Sequence, residues 1–465
     1  MSIASDIIRI KDKVSDSFSA VDEKNGTLPL QWLIENLPES ILTIPSSVNN
    51  SYEPSEIQLS PEPAKAQAER IANEVINAYL AVQAKGGELP EAWKVENLPA
   101  AILSMLTESF THSIGMPLTQ AKFSFASASI GLYIPIGGGQ MGGKYALFAG
   151  GNIGNGVTAS VNAYDDLLTR STPTALSTGR YGLQGMVTAD NGHALIAGGL
   201  TTSGVVSSRV ATVDTYSALL VKGTATNLSQ ARYGKTSAIV GNYTLFIGGG
   251  QDDSTSVATV DAYNTSLTRS TPTVLSQARR TLAMNVGDYA LCMGGKVSGT
   301  AAGNLVYTDR VDAYDDLLTR TIITPLSQAR YVNGQMANVT RSNFAIAPGG
   351  QRVASNAVVG SDVVEVYDDT LVKTIIEPLF EAKFSMSIGN IKNIIMIAGG
   401  STATEIVDTV EAYNETFTKI ILPSLSTVKN QMQSATVGNH ILFAGGRDGN
   451  NNTLNTVEMY QLTGG

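Results

Sequence analysis

Two rhythms of apolar and polar residues divide the chain. Over the first hundred residues the apolar positions recur at helical spacing, with Ile71, Val75, Ala78, Tyr79 and Val82 on one face. That stretch ends at Lys85-Gly86-Gly87, where glycine can take the left-handed cap. A second short helix is predicted after Asn97-Leu98-Pro99, because asparagine is a good N-cap and proline is tolerated in the first turn. Residues 10–44 repeat the pattern of 71–105 at a constant offset, with 15 of 35 positions identical, among them Trp32/Trp93, Asn36/Asn97 and Pro38/Pro99. Each copy therefore reads as a helical hairpin, over 1–44 and 67–108, joined by a Pro-rich extended spacer over 45–66. Neither hairpin buries enough surface to stand alone, so both are expected to pack on something, with Trp32 and Trp93 as the anchoring side chains.

From residue 109 to residue 465 the pattern becomes that of short apolar strands. A strand ending in Gly-Gly recurs at 150–151, 198–199, 248–249, 294–295, 349–350, 399–400 and 445–446, in steps of 46 to 55 residues. After each doublet comes a polar loop, then a strand ending in Tyr164, Tyr216, Tyr263, Tyr314, Tyr367, Tyr413 or Tyr460. A further strand leads into Leu-Ser-Gln-Ala-Arg at 228–232, 275–279 and 326–330, echoed by Leu-Ser-Thr-Gly-Arg at 176–180. Each unit thus supplies four strands, and the last unit lacks its fourth. A matching segment stands before the first unit, where the strand 111–118 leads to Lys122. The prediction is a mainly β, seven-bladed β-propeller in which an N-terminal strand completes the C-terminal blade, so no sheet edge is left open.

Composition narrows the chemistry. Charged residues make up only 15% of the chain against roughly 25% in average soluble proteins, and 45 glycines suit closely packed strands. The net charge of −9 argues against nucleic acid, since affinity for phosphates comes from lysine and arginine. Near the N-terminus, Asp6, Arg9, Lys11 and Asp12 interrupt any apolar run, so neither a signal peptide nor a membrane span is expected. The single cysteine, Cys292, excludes an internal disulfide and reads as a small buried hydrophobe.

Catalytic and metal signatures fail on context. Gly137-Gly138-Gly139-Gln140-Met141-Gly142 fits a nucleotide-binding spacing, but the segment after it is a strand of the repeat. His112, His193 and His440 have no second histidine or cysteine at ligand spacing, so no metal, no cofactor and no catalytic residue is assigned. The acid pairs Asp165-Asp166, Asp315-Asp316 and Asp368-Asp369 recur at one repeat position and read as turn chemistry. Arg180, Arg232, Arg279 and Arg330, with Lys122 and Lys383 in matching places, form a ring of cations expected to bind carbonyls of adjoining blades.

Strand alternation places the Gly-Gly loops and the inter-blade connections on one face, where loops vary most and recognition is expected. Tyr181, Tyr233 and Tyr331, each following a basic position, Asp252 and Asp253 after one Gly-Gly, and Tyr307 in the longest loop (296–310) are the candidate binding residues.

The Gly-Gly, Tyr and Arg signatures over about 350 residues resemble the kelch family, except that the usual tryptophan after the tyrosine is missing. Leu168, Leu220, Leu267, Leu318, Leu371 or Phe417, four residues after the tyrosine, is expected to fill that space. The tandem hairpins and low-charge array together are similar to bacteriophage and prophage virion proteins. That resemblance implies a non-enzymatic structural protein of fibre, tail or capsid-decoration type. It would be assembled in the host cytoplasm, bound to other virion proteins through its N-terminal region, homo-oligomeric, and directed at a host-surface glycan or protein. The alternative is a bacterial carbohydrate-binding or carbohydrate-active kelch protein.

Overall fold

A computed structural model describes residues 109–132, 143–234, 236–252, 255–297, 306–332, 344–354, 357–392 and 394–463. The helical hairpins, the spacer, Trp32 and Trp93 lie outside these residues, as does Asp253. Residues Thr111–Gln461 form one compact unit. Its strands are β1 (Ser109–Ile114), then β2 (Ala126–Leu132), β3 (Gly143–Ala149), β4 (Val161–Asp165) and β5 (Arg170–Ser171) in blade 1. Blade 2 holds β6 (Gln184–Val187), β7 (His193–Ala197), β8 (Val213–Ser217) and β9 (Lys222–Thr224), and blade 3 holds β10 (Thr236–Val240), β11 (Tyr243–Ile247), β12 (Val260–Asn264) and β13 (Arg269–Ser270). Blade 4 is β14 (Arg279–Val286), β15 (Tyr289–Val297), β16 (Val306–Tyr314) and β17 (Arg320–Ile323). In blade 5 the described strands are β18 (Phe344–Pro348), β21 (Val364–Asp368) and β22 (Lys373–Ile376), with the hairpin β19 (Gln351–Ala354) and β20 (Ala357–Gly360) between the first two. Blade 6 contains β23 (Ser387–Ile391), β24 (Ile394–Ser401), β25 (Ile406–Tyr413) and β26 (Lys419–Leu422), and blade 7 β27 (Gln433–Val437), β28 (His440–Ala444) and β29 (Val457–Thr463).

Within each blade neighbouring strands pair antiparallel in sequence order, giving a seven-bladed propeller. The innermost strands are buried on both faces, as in β6, β23 and β27, whereas the outermost strands alternate half-buried and exposed positions. That gradient explains the low charge content: only the outer strand of each blade reads as an ordinary surface strand. Adjacent inner strands are tied by small polar side chains, Gln184 Nε2 donating to Ser237 Oγ at 3.0 Å and the Thr436 amide to Ser129 Oγ at 2.7 Å. The second of these joins blade 7 to blade 1. β1 pairs with β29, completing blade 7 with a strand from before blade 1, and the chain then runs beside β29, the Gly115 and Leu118 amides donating to Val457 O and Asn455 O.

Every junction is built alike. The seven repeat tyrosines are fully buried, and each hydroxyl donates to a carbonyl in the segment entering its blade: Tyr164 to Met116, Tyr216 to Thr174, Tyr263 to Thr226, Tyr314 to Thr273, Tyr367 to Thr324, Tyr413 to Glu377 and Tyr460 to Pro423, all at 2.7–2.9 Å. Four residues on, Leu168, Leu220, Leu267, Leu318, Leu371 and Phe417 are half-buried against the apolar clusters. Each holds φ of 60–65°, because it closes the turn between third and fourth strands at the position where glycine is customary. The acids of those turns do the work expected of them: Asp165 Oδ1 accepts from the Leu167 and Thr169 amides, and Asp315 Oδ1 from Leu317 and Thr319.

Candidate functional site

The ring of cations is real, but its partners differ from the sequence expectation. Arg180, Arg232, Arg279, Arg330, Lys383 and Lys429 are fully buried, and each pairs with an acid two residues before the repeat tyrosine of the blade it opens. The pairs are Arg180–Asp214 (2.8 Å), Arg232–Asp261, Arg279–Asp312 and Arg330–Glu365 (each 2.7 Å), Lys383–Glu411 (2.9 Å), and Lys429–Glu458. The carbonyls that the arginines reach, such as Ile196 for Arg180 and Phe246 for Arg232, belong to the second strand of that same blade. A second cation on the outer strand shares five of the acids, Lys222, Arg269, Arg320, Lys373 and Lys419, and the His112 imidazole on β1 meets the sixth, Glu458. These acids stand on the third strand of the blade, two strands on from the cation; their recurrence two residues before each tyrosine was the signal that would have revealed them.

The residues that follow these cations each pair with the residue after the Gly-Gly doublet of their own blade. These are Phe123, Tyr181, Tyr233, Arg280, Tyr331, Phe384 and Asn430. The backbone of each predicted tyrosine is locked to the residue after a Gly-Gly doublet. Tyr181 exchanges both hydrogen bonds with Leu200, Tyr233 with Gly250 and Tyr331 with Gln351, at 2.7–3.1 Å. Tyr181, Tyr233 and Tyr331 all line one cavity of about 260 Å³, with Ser124, Gln184, Thr236, Arg280, Thr281, Lys296 and Gln351 supplying further polar groups. Burial pushes the Tyr331 phenol above its ordinary pKa, and nearby Arg280 pulls part of the way back. Arg280, which sequence reasoning missed, stacks on Tyr233 (4.7 Å to the ring centroid) and donates from Nη2 to Tyr233 Oη at 2.8 Å.

The other candidates take positions around this cavity. Tyr307 is in β16, opposite Lys296, because the β15–β16 ladder continues past the Gly294-Gly295 bulge; the segment expected to be loop is paired strand at both ends. Its hydroxyl reaches Gln351 Oε1 of the cavity wall at 3.5 Å. Asp252 faces the site through its backbone, its carbonyl accepting from Arg280 Nη2 at 2.9 Å, while its carboxylate accepts from the Thr255 amide at 2.6 Å in a loop turn. The oxygen-rich loop after Gly446 is likewise a turn, with Asp448 accepting from Asn450 and Asn452, hydrogen bonds that lower its pKa. Among the described residues no three His, Cys, Asp or Glu side chains converge in a geometry that suits a metal ion. Cys292 is fully buried on β15 and burial pushes its thiol pKa up, away from nucleophilic character.

Comparison with known proteins adds the following. No protein-family model matches the chain, and no curated protein matches it. Among solved structures it is similar to YjhT, at 12% identity and a TM-score of 0.45, over 60% of this chain and 96% of that one.

Proposed function

We propose that this protein is a non-catalytic binding propeller of kelch type. It is carried on a phage particle as a homo-oligomer, held to other virion proteins by the segment before the propeller, and directed at a host-surface glycan or protein by the loop-rich face. The convergence of Tyr181, Tyr233 and Tyr331, from blades 2, 3 and 5, on one cavity carries the binding role. Rigid aromatic side chains held by paired backbone provide contact area at small entropic cost, and hydroxyl and amide groups beside them suit a polar ligand. The non-catalytic reading is supported by where the reactive groups sit. The acids are engaged with buried cations, His112 pairs with Glu458 at 2.7 Å, and Cys292 is sealed in a strand. The particle location is supported by the likeness of the tandem hairpins and the low-charge array to virion proteins.

Quantitative mass spectrometry of particles purified from the source culture tests the location. Peptides from this chain at a fixed ratio to capsid protein are expected; their absence from clean particles would remove the virion role. A carbohydrate-binding propeller that works off the particle is the second reading, favoured by the aromatic lining of the cavity. Glycan binding by the free protein combined with absence from particles would select it.

A further inference from the structure

We propose that the cavity between blades 2 and 5 binds an oxyanion carried on a sugar-sized ligand, a carboxylate, sulfate or phosphate group held by Arg280. This builds on the binding role above and names its chemistry. Arg280 is the one cation among the seven residues that follow the buried ring, a position occupied elsewhere by aromatic residues and Asn430. Its surroundings depart from the repeat in three coordinated ways. In blades 1, 2, 3, 6 and 7 the residue after this position turns left-handed (Ser124, Gly182, Gly234, Ser385 and Gln431), and amide-to-carbonyl bonds run from blade to blade, Gly182 to Ser124 and Gly234 to Gly182. Blade 4 instead stays in strand, with a register shift between Arg280 and Leu282, and the guanidinium reaches Tyr233 and Asp252 of blade 3. In blade 3 the residue after Gly-Gly is Gly250, and a Cβ there would sit 2.3 Å from Arg280 Nη2, so the site needs glycine to admit the side chain.

The electrostatics ask for an anion. Arg280 and Lys296 are directly opposite each other on β14 and β15, both line the cavity, and among the described residues that line it there is no carboxylate, in a protein of net charge −9. Arg280 Nη2 directs its two N–H groups to Tyr233 Oη and Asp252 O, which fixes the plane of the guanidinium, so its charge is held in place beside the cavity that it lines. The volume, about 260 Å³, is that of roughly nine waters and suits one sugar ring. Among the described residues that line it only Val332 has an aliphatic hydrocarbon side chain, so a polyhydroxylated scaffold fits better than an apolar one.

The test is titration of the full-length protein, at low salt, with glucuronic acid, glucose 6-sulfate, glucose 6-phosphate and glucose, followed by isothermal calorimetry and ligand-observed NMR. At least one charged sugar is expected to bind tenfold or more tightly than glucose, and which one does so separates carboxylate from sulfate and phosphate. Arg280→Met and Gly250→Ala, the second displacing the guanidinium with its charge intact, are each expected to weaken that sugar tenfold or more without moving the thermal midpoint appreciably. Glucose binding as well as the charged sugars, unaffected by Arg280→Met, would overturn the oxyanion assignment and leave the binding role standing. No charged sugar binding at millimolar concentration would also overturn it.

Discussion

The side-chain carbonyl of Asn162 accepts a hydrogen bond from the Thr119 amide at 2.7 Å, a contact that a carboxylate makes in each of the other six blades. Blade 1 has therefore kept the geometry of the acid and lost its charge. The cation that the acid would neutralise, Lys122, is still fully buried. Its Nζ donates to Phe148 O at 3.0 Å and Ser160 O at 3.4 Å, two acceptors that match the two N–H groups of a neutral amine. Burial lowers its pKa from 10.5 to about 7.

Stability should consequently rise with pH above neutrality. Between about pH 7 and pH 10 the unfolded chain holds a proton on Lys122 that the native chain has released, so the slope of unfolding free energy against pH is positive. Below that window both states are protonated and the full cost of burying an ammonium is borne. Unfolding free energies from urea titrations between pH 6.5 and 9.5 are expected to climb for the natural chain by up to about 1.4 kcal/mol per pH unit, and to climb far less in Lys122→Met. Equal slopes in the two proteins would show that Lys122 is charged when folded.

Restoring the acid is the complementary change. Asn162→Asp places a carboxylate where Asp214 and Asp261 stand in the next two blades, and should raise the unfolding midpoint at pH 6.5 while removing the Lys122-dependent slope. The reverse change in a complete pair, Asp261→Asn, leaves Arg232 buried without its counter-charge and should cost about 3–5 kcal/mol. If Asn162→Asp destabilises instead, the amide is preferred at this junction for its donation to Thr119 Oγ1 at 3.0 Å.

Much of this architecture was legible because it repeats. Gly-Gly, tyrosine and arginine recur at fixed places since each answers the same local need: Gly248 has φ of 58° with the Arg279 carbonyl 2.4 Å from where a Cβ would be, and Tyr263 needs one buried acceptor. Strand count and the seam through β1 follow from that repetition. The ion pairs were less visible, because the acid position is Asp in blades 2 to 4 and Glu in blades 5 to 7, and the partner lies 28 to 35 residues downstream of its cation. The cavity was half visible. Its tyrosines occupy a repeat position, whereas Arg280 and Gly250 matter through departures from the repeat, and a departure carries no periodic signal.

Glycines on the inner strands test how tightly blades approach. At Gly185 on β6 a Cβ would lie 2.2 Å from the Ser127 carbonyl, so backbone of blade 1 must move to admit it. At Gly389 on β23 the nearest atom, at 2.4 Å, is the Cδ1 of Ile441, which can rotate away. Gly185→Ala is expected to destabilise by about 3 kcal/mol, near the top of the range for overpacked cores, and Gly389→Ala by about 1 kcal/mol. Chemical denaturation of the two variants gives the comparison, and equal losses would mean that the inner strands slide freely.

The seam itself can be compared with an ordinary junction through two tyrosines. Tyr164 Oη donates at 2.8 Å to Met116 O, just after the strand β1 that joins blade 7 from elsewhere in the chain, and Tyr263 Oη donates at 2.7 Å to Thr226 O, just after a fourth strand that is continuous with its own blade. Replacing either by phenylalanine keeps the buried ring and removes one part-buried hydrogen bond, a loss of about 1 kcal/mol. If the seam is as firmly closed as the other junctions, Tyr164→Phe and Tyr263→Phe should lower the urea midpoint equally. A seam that frays before the rest unfolds would already have broken the Tyr164 bond in the state from which unfolding starts. Tyr164→Phe would then be silent while Tyr263→Phe kept its cost, and amide exchange along β1 and β29 would be faster than along β12. The Thr436–Ser129 bond between inner strands and the pairing of His112 with Glu458 both brace the same join, so equal costs are the expected result.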